Sequence, residues 1–255
     1  LIEDVQILSS NLVQNGDFEE IGSEEVTNGN FDTDLSGWTY SSGVTWSSGK
    51  AEINALDGAF KYIQQLITSS GTKIYKISFD ISNIQGVVQL IINNSVVSEK
   101  NTNGTFEVYH TVTTTNPTIQ FKRKVGTNTF FELDNVSVKE VGQSWTFGTG
   151  WSISDSKAIF DGTQSYIQQN NLGASNVTAI YKVKWTQNIT AGTRLRFFAR
   201  NYNDSGNETI LSGSTTGEGS FGSSGNCVGS GTFTAFVSSI NGYSFKMLGE
   251  TGVNA

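Results

Sequence analysis

Tyr75-Lys76-Ile77-Ser78-Phe79-Asp80-Ile81 alternates apolar and polar side chains without a break. A period of two marks a half-buried strand, with one face toward a core and the other toward water. The pattern returns further along. Tyr181, Val183 and Trp185 alternate with Lys182, Lys184 and Thr186, and Leu195, Phe197 and Ala199 lie among Arg194, Arg196, Phe198 and Arg200. Turn dipeptides punctuate these runs at Asn15-Gly16, Asn28-Gly29, Asp57-Gly58, Asn103-Gly104, Asp161-Gly162 and Asn241-Gly242. No amphipathic run is long enough for a helix. Short strands joined by Gly-rich turns predict an all-β sandwich or barrel.

Composition narrows the function. The 255 residues are 36% hydrophobic and include 28 glycines, enough apolar material for a core. A net charge of −7 argues against a nucleic-acid partner, which needs Lys and Arg against phosphates. The best apolar run, Val87-Val88-Gln89-Leu90-Ile91-Ile92, falls far short of the roughly 18 residues a membrane helix needs, so no membrane insertion is expected. One cysteine, Cys227, can neither staple the chain to itself nor build a zinc site. The start, Leu1-Ile2-Glu3-Asp4, reads as that of a fragment of a longer polypeptide.

The chain repeats itself. Trp38-Thr39-Tyr40, Gly43 and Lys50-Ala51 match Trp145-Thr146-Phe147, Gly150 and Lys157-Ala158. Tyr62-Ile63-Gln64-Gln65 recurs as Tyr166-Ile167-Gln168-Gln169, and Ile74-Tyr75-Lys76-Ile77 as Ile180-Tyr181-Lys182-Val183. Gly104-Thr105-Phe106 matches Gly231-Thr232-Phe233, and Phe121-Lys122 matches Phe245-Lys246. Anchors in one order predict a tandem duplication, with modules at 27–141 and 142–255 after an N-terminal segment, 1–26. The second copy carries a Gly/Ser-rich insertion from about Asn203 to Ser230, expected as a surface loop. It also stops at Ala255 before the equivalent of Phe130–Val138 arrives, so its closing strand is expected beyond that point. The short joint Glu140–Ser144 predicts modules that do not move freely.

Val26-Thr27-Asn28-Gly29-Asn30-Phe31-Asp32, then Trp38, then a closing Leu133-Asp134-Asn135-Val136-Ser137-Val138, form a frame. It resembles the galactose-binding-like jelly-roll superfamily, in particular carbohydrate-binding modules. Gly150-Trp151-Ser152-Ile153 with Lys157-Ala158, and the ending Val138-Lys139-Glu140-Val141, look like the tandem modules of bacteriophage tail-fibre and other virion proteins. The resemblance implies an all-β fold of two tandem jelly-roll β-sandwich modules in an extracellular or virion setting. It implies cell-surface glycans as partners, together with other virion subunits or copies of this chain in a homo-oligomer such as a trimer. It also implies a structural Ca²⁺ in the first module, with Asp32 and Asp134 as side-chain ligands and a carbonyl near Lys50. The alternative for these two acids is a turn cap and a backbone acceptor. The second copy shows no N-G-x-F opening of its own, so no metal is expected there. The motif does occur upstream, as Val13-Gln14-Asn15-Gly16-Asp17-Phe18, expected as a decayed duplicate packed as an edge strand, the alternative being that it supplies the first strand of a neighbouring module or chain.

No catalytic constellation is visible. His110, the one histidine, falls mid-strand, and Cys227 has no basic neighbour in sequence. The acids lie mostly in turns rather than as a pair across a cleft. The expected activity is adhesion: to space, decorate or bind glycans. The alternatives are the binding region of a secreted polysaccharide-degrading enzyme, or a bacterial surface adhesin. Sugar recognition uses aromatic platforms with amide and guanidinium donors. That points to Arg196, Phe198, Arg200 and Tyr202 in the second copy, and to Tyr40 and Trp46 in the first. Trp38, Trp145, Phe79 and Trp185 are expected in the core.

Overall fold

The computed structural model describes residues 12–170, 180–189, 193–201, 210–222, 225–238 and 243–251. It forms two compact units, and each is described by itself.

The unit Glu19–Gln143 contains β1 (Ile21–Glu24), β2 (Thr39–Tyr40), β3 (Val44–Ser47), β4 (Lys50–Ala55), β5 (Tyr62–Leu66), β6 (Lys73–Gln85), β7 (Val88–Ile92), β8 (Ser95–Lys100), β9 (Gly104–Val112), β10 (Thr118–Arg123) and β11 (Thr129–Val141). One sheet runs β3-β4-β11-β6-β9, with β1 beside β11, and the other runs β2-β5-β10-β7-β8. All pairings are antiparallel. Chain order alternates between the sheets so that β4-β11-β6-β9 faces β5-β10-β7-β8, the jelly-roll path. The alternation quoted above is read out directly. In β6 Tyr75, Ile77, Phe79 and Ile81 are buried, while Lys76, Ser78 and Asp80 lie on the outer face. Phe79 from one sheet meets Phe121 from the other edge-on, centroids 5.0 Å apart, and Phe131 is fully buried with them.

The closing strand β11 is the keystone. It pairs with β4 on one side and β6 on the other, and it inserts Phe131, Leu133, Val136 and Val138 into the core. A register shift between Asp134 and Ser137 leaves Asn135 at φ 49°, a conformation Asn tolerates. Beside it the Val136 N–H donates to the Gly29 carbonyl at 2.8 Å. A Cβ on Gly29 would stand 1.9 Å from the Val136 carbonyl oxygen, so only glycine permits this approach.

The other unit contains 12–18 and the described residues from Ser144 onward. Its strands are β12 (Thr146–Phe147), β13 (Trp151–Ser154), β14 (Lys157–Phe160), β15 (Ser165–Gln169), β16 (Ile180–Gln187), β17 (Thr193–Asn201), β18 (Ile210–Thr216), β19 (Ser220–Phe221), β20 (Asn226–Val228), β21 (Gly231–Ser238) and β22 (Tyr243–Thr251). They form the sheets β12-β15-β22-β17-β20-β19, β16-β21-β18 and the pair β13-β14. β12 to β17 repeat β2 to β7 in order, while β21 and β22 repeat β9 and β10.

Here the structure departs from the expected boundaries. The upstream motif at 13–18 is not an edge strand of a separate N-terminal segment; it is the opening turn of the second copy. Trp145 Nε1 donates to the Asn15 carbonyl at 3.0 Å, as Trp38 Nε1 donates to that of Asn28 at 3.0 Å. Gln169 brackets Gln14, accepting from its N–H at 2.8 Å and donating to its carbonyl at 2.9 Å. Gln65 does the same to Thr27 at 2.7 and 2.9 Å. Phe18 lies 5.2 Å from Trp145 and Phe31 5.4 Å from Trp38, both phenylalanines at positive φ. The turn and the Trp are complementary surfaces. The second copy takes the turn that fits, 130 residues upstream of its Trp, and Glu19–Gln143 is inserted between.

The Gly/Ser-rich insertion is not simply a loop. Its described residues include β18, β19 and β20, and Cys227 in β20 is fully buried. Trp38 and Phe79 are core residues as expected, whereas Trp145 and Trp185 are only partly buried against the second core.

Candidate functional site

The outer face of the sheet β2-β5-β10-β7-β8 collects amides and aromatic rings. Strand alternation decides which part of Tyr62-Ile63-Gln64-Gln65 does what. Ile63 and Gln65 point inward, and Gln65 is consumed by the bracket on Thr27 and the Gly37 carbonyl. Tyr62 and Gln64 point outward. Across the sheet, register gives one row Tyr62–Lys122–Gln89–Glu99 and a second row Gln64–Gln120–Ile91–Val96.

Gln120 Nε2 donates to Gln64 Oε1 at 2.6 Å, and Gln89 Nε2 donates to Glu99 Oε1 at 2.7 Å. Lys124 Nζ donates to Glu99 Oε2 at 2.7 Å. That ammonium, then the Gln89 amide, holds the exposed Glu99 carboxyl below its ordinary range. Phe60, half exposed, flanks Tyr62 with centroids 5.6 Å apart, and Lys122 Nζ stands 5.5 Å from the Phe60 ring. Among the described residues, the Gln64 amide nitrogen and the Gln120 carbonyl oxygen have no protein partner. Fixed donors and acceptors beside tilted rings suit a ligand with hydroxyls along its rim and C–H groups on its face.

The second unit builds the same face differently. Its rows are Tyr166–Leu248–Arg196 and Gln168–Lys246–Phe198, and Lys246 Nζ lies 3.9 Å over the Tyr166 ring. Met247, not Phe245, stands opposite Ile167 as Phe121 stands opposite Ile63. The sequence match of Phe121-Lys122 with Phe245-Lys246 is therefore two residues out of register in space. A shift of two preserves the faces, so Lys246 occupies the position of Gln120.

The residues singled out in sequence fall as follows. Arg196 is on the outer face of β17, and Phe198 and Arg200 share its register face. The side chains of Phe198 and Arg200, and all of Tyr202, lie outside the described residues. Tyr40 is at the edge strand β2 of the amide-bearing sheet, 47% exposed. Trp46 is on β3, at the edge of the opposite sheet, and its Nε1 donates to the Phe31 carbonyl at 2.6 Å. Those two rings do not form one platform. Sequence reading missed Tyr62, Gln64, Gln89 and Gln120. The signal was present in Tyr-Ile-Gln-Gln occurring twice, a motif used only as an alignment anchor.

A second cluster lies on the opposite sheet's outer face, beside the opening turn. Asp134 pairs with Asp80 in register, and Asn135 Nδ2 donates to Asp80 at 2.8 Å. Burial pushes the Asp134 carboxyl up, and the charges of Asp80 and Asp32 add to it. Asp32 and Asp134 thus feel one another, and Asp80, not foreseen, joins them. Among the described residues no three acidic, His or Cys side chains gather closely enough to cage a metal unaided. Carboxylate oxygens are donors of the kind Ca²⁺ takes.

Glu132, two residues before Asp134, is fully committed. Its Oε2 accepts from Ser82 Oγ at 2.7 Å and Lys50 Nζ at 2.9 Å, and Oε1 accepts from Asn83 Nδ2 at 2.7 Å. These bonds, Ser82 first, pull its pKa to about 2 from 4.5. A depressed carboxylate stabilises the fold above its unfolded value and loses that contribution as pH falls through the folded one. Glu132→Gln is expected to cost about 1–2 kcal/mol at neutral pH. Urea midpoints of variant and wild type should converge between pH 4.5 and 2. A gap that stays constant over that range contradicts the assignment.

His110 on β9 is half-buried, which pushes its pKa down, and burial pushes the Cys227 thiol up to about 12. A thiol held neutral is a core side chain rather than a nucleophile.

No family model matches the chain, and no curated protein matches it. Among solved structures, "Family 16 Carbohydrate Binding Module-2" is similar at 15% identity over 45% of this chain and 98% of that one, with a TM-score of 0.33. "CBM4 structure and function" is similar at 20% identity over 50% of this chain and 98% of that one, with a TM-score of 0.27.

Proposed function

We propose that the chain is a non-catalytic glycan-binding protein, with the outer face of β2-β5-β10-β7-β8 as its principal site. One observation carries this reading. Gln64–Gln120 and Gln89–Glu99 hold hydrogen-bonding groups in rows beside Phe60 and Tyr62, on strands whose opposite faces are locked in the core. Preorganised amides lose little entropy on binding, and the rings supply apolar contact. Single-site affinity for a sugar is weak, so copies in a homo-oligomer multiply it.

The wider setting rests on the phage-like sequence details alone: a fibre or other virion protein that holds or decorates cell-surface glycans. An appendage of a secreted polysaccharide-degrading enzyme is equally consistent with the site. In this reading Asp32 and Asp134 would hold a structural Ca²⁺, which would offset the repulsion between their charges.

Affinity electrophoresis through a panel of polysaccharides, backed by a glycan array, tests the site. Retardation by one class of polysaccharide is expected, weakened tenfold or more in Tyr62→Ala and in Gln120→Ala, with folding unchanged because both side chains lie on the outer face. No retarding polysaccharide, or retardation indifferent to both substitutions, overturns the reading.

A further inference from the structure

The second unit repeats the amide-bearing face with a different charge. In the first unit the pair Gln64–Gln120 is closed by an amide–amide bond. In the second, Gln168 stands in the place of Gln64 and Lys246 in that of Gln120. The neighbouring row changes in the same direction. Tyr62–Lys122–Gln89–Glu99 becomes Tyr166–Leu248–Arg196–Asn226. Arg196 replaces an amide, and Asn226 replaces a carboxylate. Among the described residues of the sheet β12-β15-β22-β17-β20-β19 the one carboxylate is Glu250, and it pairs with Arg194. Lys246 and Arg196 come on top of that pair, in a chain whose net charge is −7.

The geometry gathers these groups. Lys246 Nζ lies 3.9 Å over the Tyr166 ring. Lys246 pairs with Phe198 and Leu248 with Arg196, so Lys246 and Arg196 are diagonal neighbours on adjacent strands. Such positions lie about 7 Å apart. Tyr166, Gln168, Arg196 and Lys246 are all partly exposed.

We infer that the outer face of β15-β22-β17 binds an acidic glycan, one that carries a carboxylate or a sulfate ester on its sugars. This rests on the reading that the outer faces take sugars, and adds a second site with its own ligand class. The Arg196 guanidinium is a planar fork that either anion can meet with two parallel hydrogen bonds. Lys246 adds a point charge one diagonal step away, Tyr166 an apolar surface for sugar C–H groups, and Gln168 an amide for hydroxyls. A neutral glycan would desolvate both cations without returning an anion to them, so this face selects by charge. The chain's bulk acidity repels polyanions, which confines their binding to a local cationic patch.

Biolayer interferometry on the full chain tests this, with polygalacturonate and a sulfated galactan immobilised, each beside its neutral counterpart, the carboxyl-reduced or the desulfated polymer. EDTA is present throughout so that no calcium bridges two sets of carboxylates. Binding to at least one acidic polymer is expected, and the one bound names the anion. Its neutral counterpart should bind about tenfold more weakly or worse, and raising salt from about 50 to about 300 mM should weaken the acidic polymer too. Lys246→Gln and Arg196→Gln should each cost about fivefold or more, with melting temperature checked for each, while Tyr62→Ala and Gln120→Ala should leave acidic binding unchanged. Comparison with the neutralised polymers uses the unaltered chain, so the outcome does not hang on a variant's folding. Binding to neither acidic polymer, binding indifferent to neutralisation, or binding that survives both Lys246→Gln and Arg196→Gln overturns the acidic site. A neutral polysaccharide still bound and lost in Tyr62→Ala would leave the site of the first unit standing in that case, whereas silence of every polysaccharide removes both.

Discussion

Gly29→Ala is expected to destabilise the Glu19–Gln143 unit by about 3 kcal/mol or more, while Gly16→Ala changes the other unit by less than about 1 kcal/mol. The substitutions are chemically identical, at the same place in two copies of one motif. Neither glycine has the left-handed φ that would itself penalise alanine. Alanine even gains slightly by restricting the unfolded chain. What differs is the neighbour. At Gly29 the obstacle is backbone, the Val136 carbonyl, so β11 must move and the 2.8 Å bond from Val136 N–H to the Gly29 carbonyl is lost with it. At Gly16 the nearest described atom is the tip of a valine side chain, which can yield. Native-state amide exchange separates the units, with β10 and β11 reporting on one and β15 and β22 on the other. Equal losses in the two would mean that Gly29 owes its identity to the turn alone, and that β11 is not pressed against it.

The strands were legible because their signal is local. Alternation in Tyr75–Ile81 and Leu195–Arg200 needs no partner to be read, and it placed Phe79 and Phe197 inward correctly. Legibility ended where placement depends on a distant residue. Nothing between Gln143 and Trp145 says that the opening turn of the second copy is 12–18, because the fit of Phe18 on Trp145 is made in space. The register of β22 failed for a related reason. Phe-Lys recurs in sequence, but Met247 takes the core position opposite Ile167, and a two-residue slip leaves every face unchanged. The site suffered most. Exposed aromatics attract attention, and Trp46 is exposed, yet its indole is tied to a carbonyl at a sheet edge. Tyr62, Gln64 and Gln120, with the buried Gln89 beside them, come from three strands far apart in sequence and share a face only once β5, β10 and β7 pair.

Removing calcium is expected to separate the fates of wild type and Asp134→Asn. Partial burial, with Asp80 and Asp32 nearby, already pushes the Asp134 carboxyl up, so without metal its charge is disfavoured relative to an exposed aspartate. An amide of the same shape removes that repulsion. In EDTA, Asp134→Asn should therefore be as stable as wild type or slightly more so. Calcium at about a hundred times its dissociation constant should stabilise wild type by about 2.7 kcal/mol and Asp134→Asn by far less. The order of the two melting temperatures then reverses between EDTA and calcium. A purely structural role for Asp134 predicts no crossing, since the Asn135 N–H, 2.7 Å from Oδ1, can donate to the amide oxygen of the variant too, and any remaining difference is the same under both conditions. Wild-type melting unmoved by calcium would remove the metal from the proposal and leave the acids as turn caps. Magnesium provides the control on charge: its smaller, rigid octahedral shell suits two carboxylates and backbone carbonyls poorly, so it should stabilise wild type much less than calcium at equal concentration.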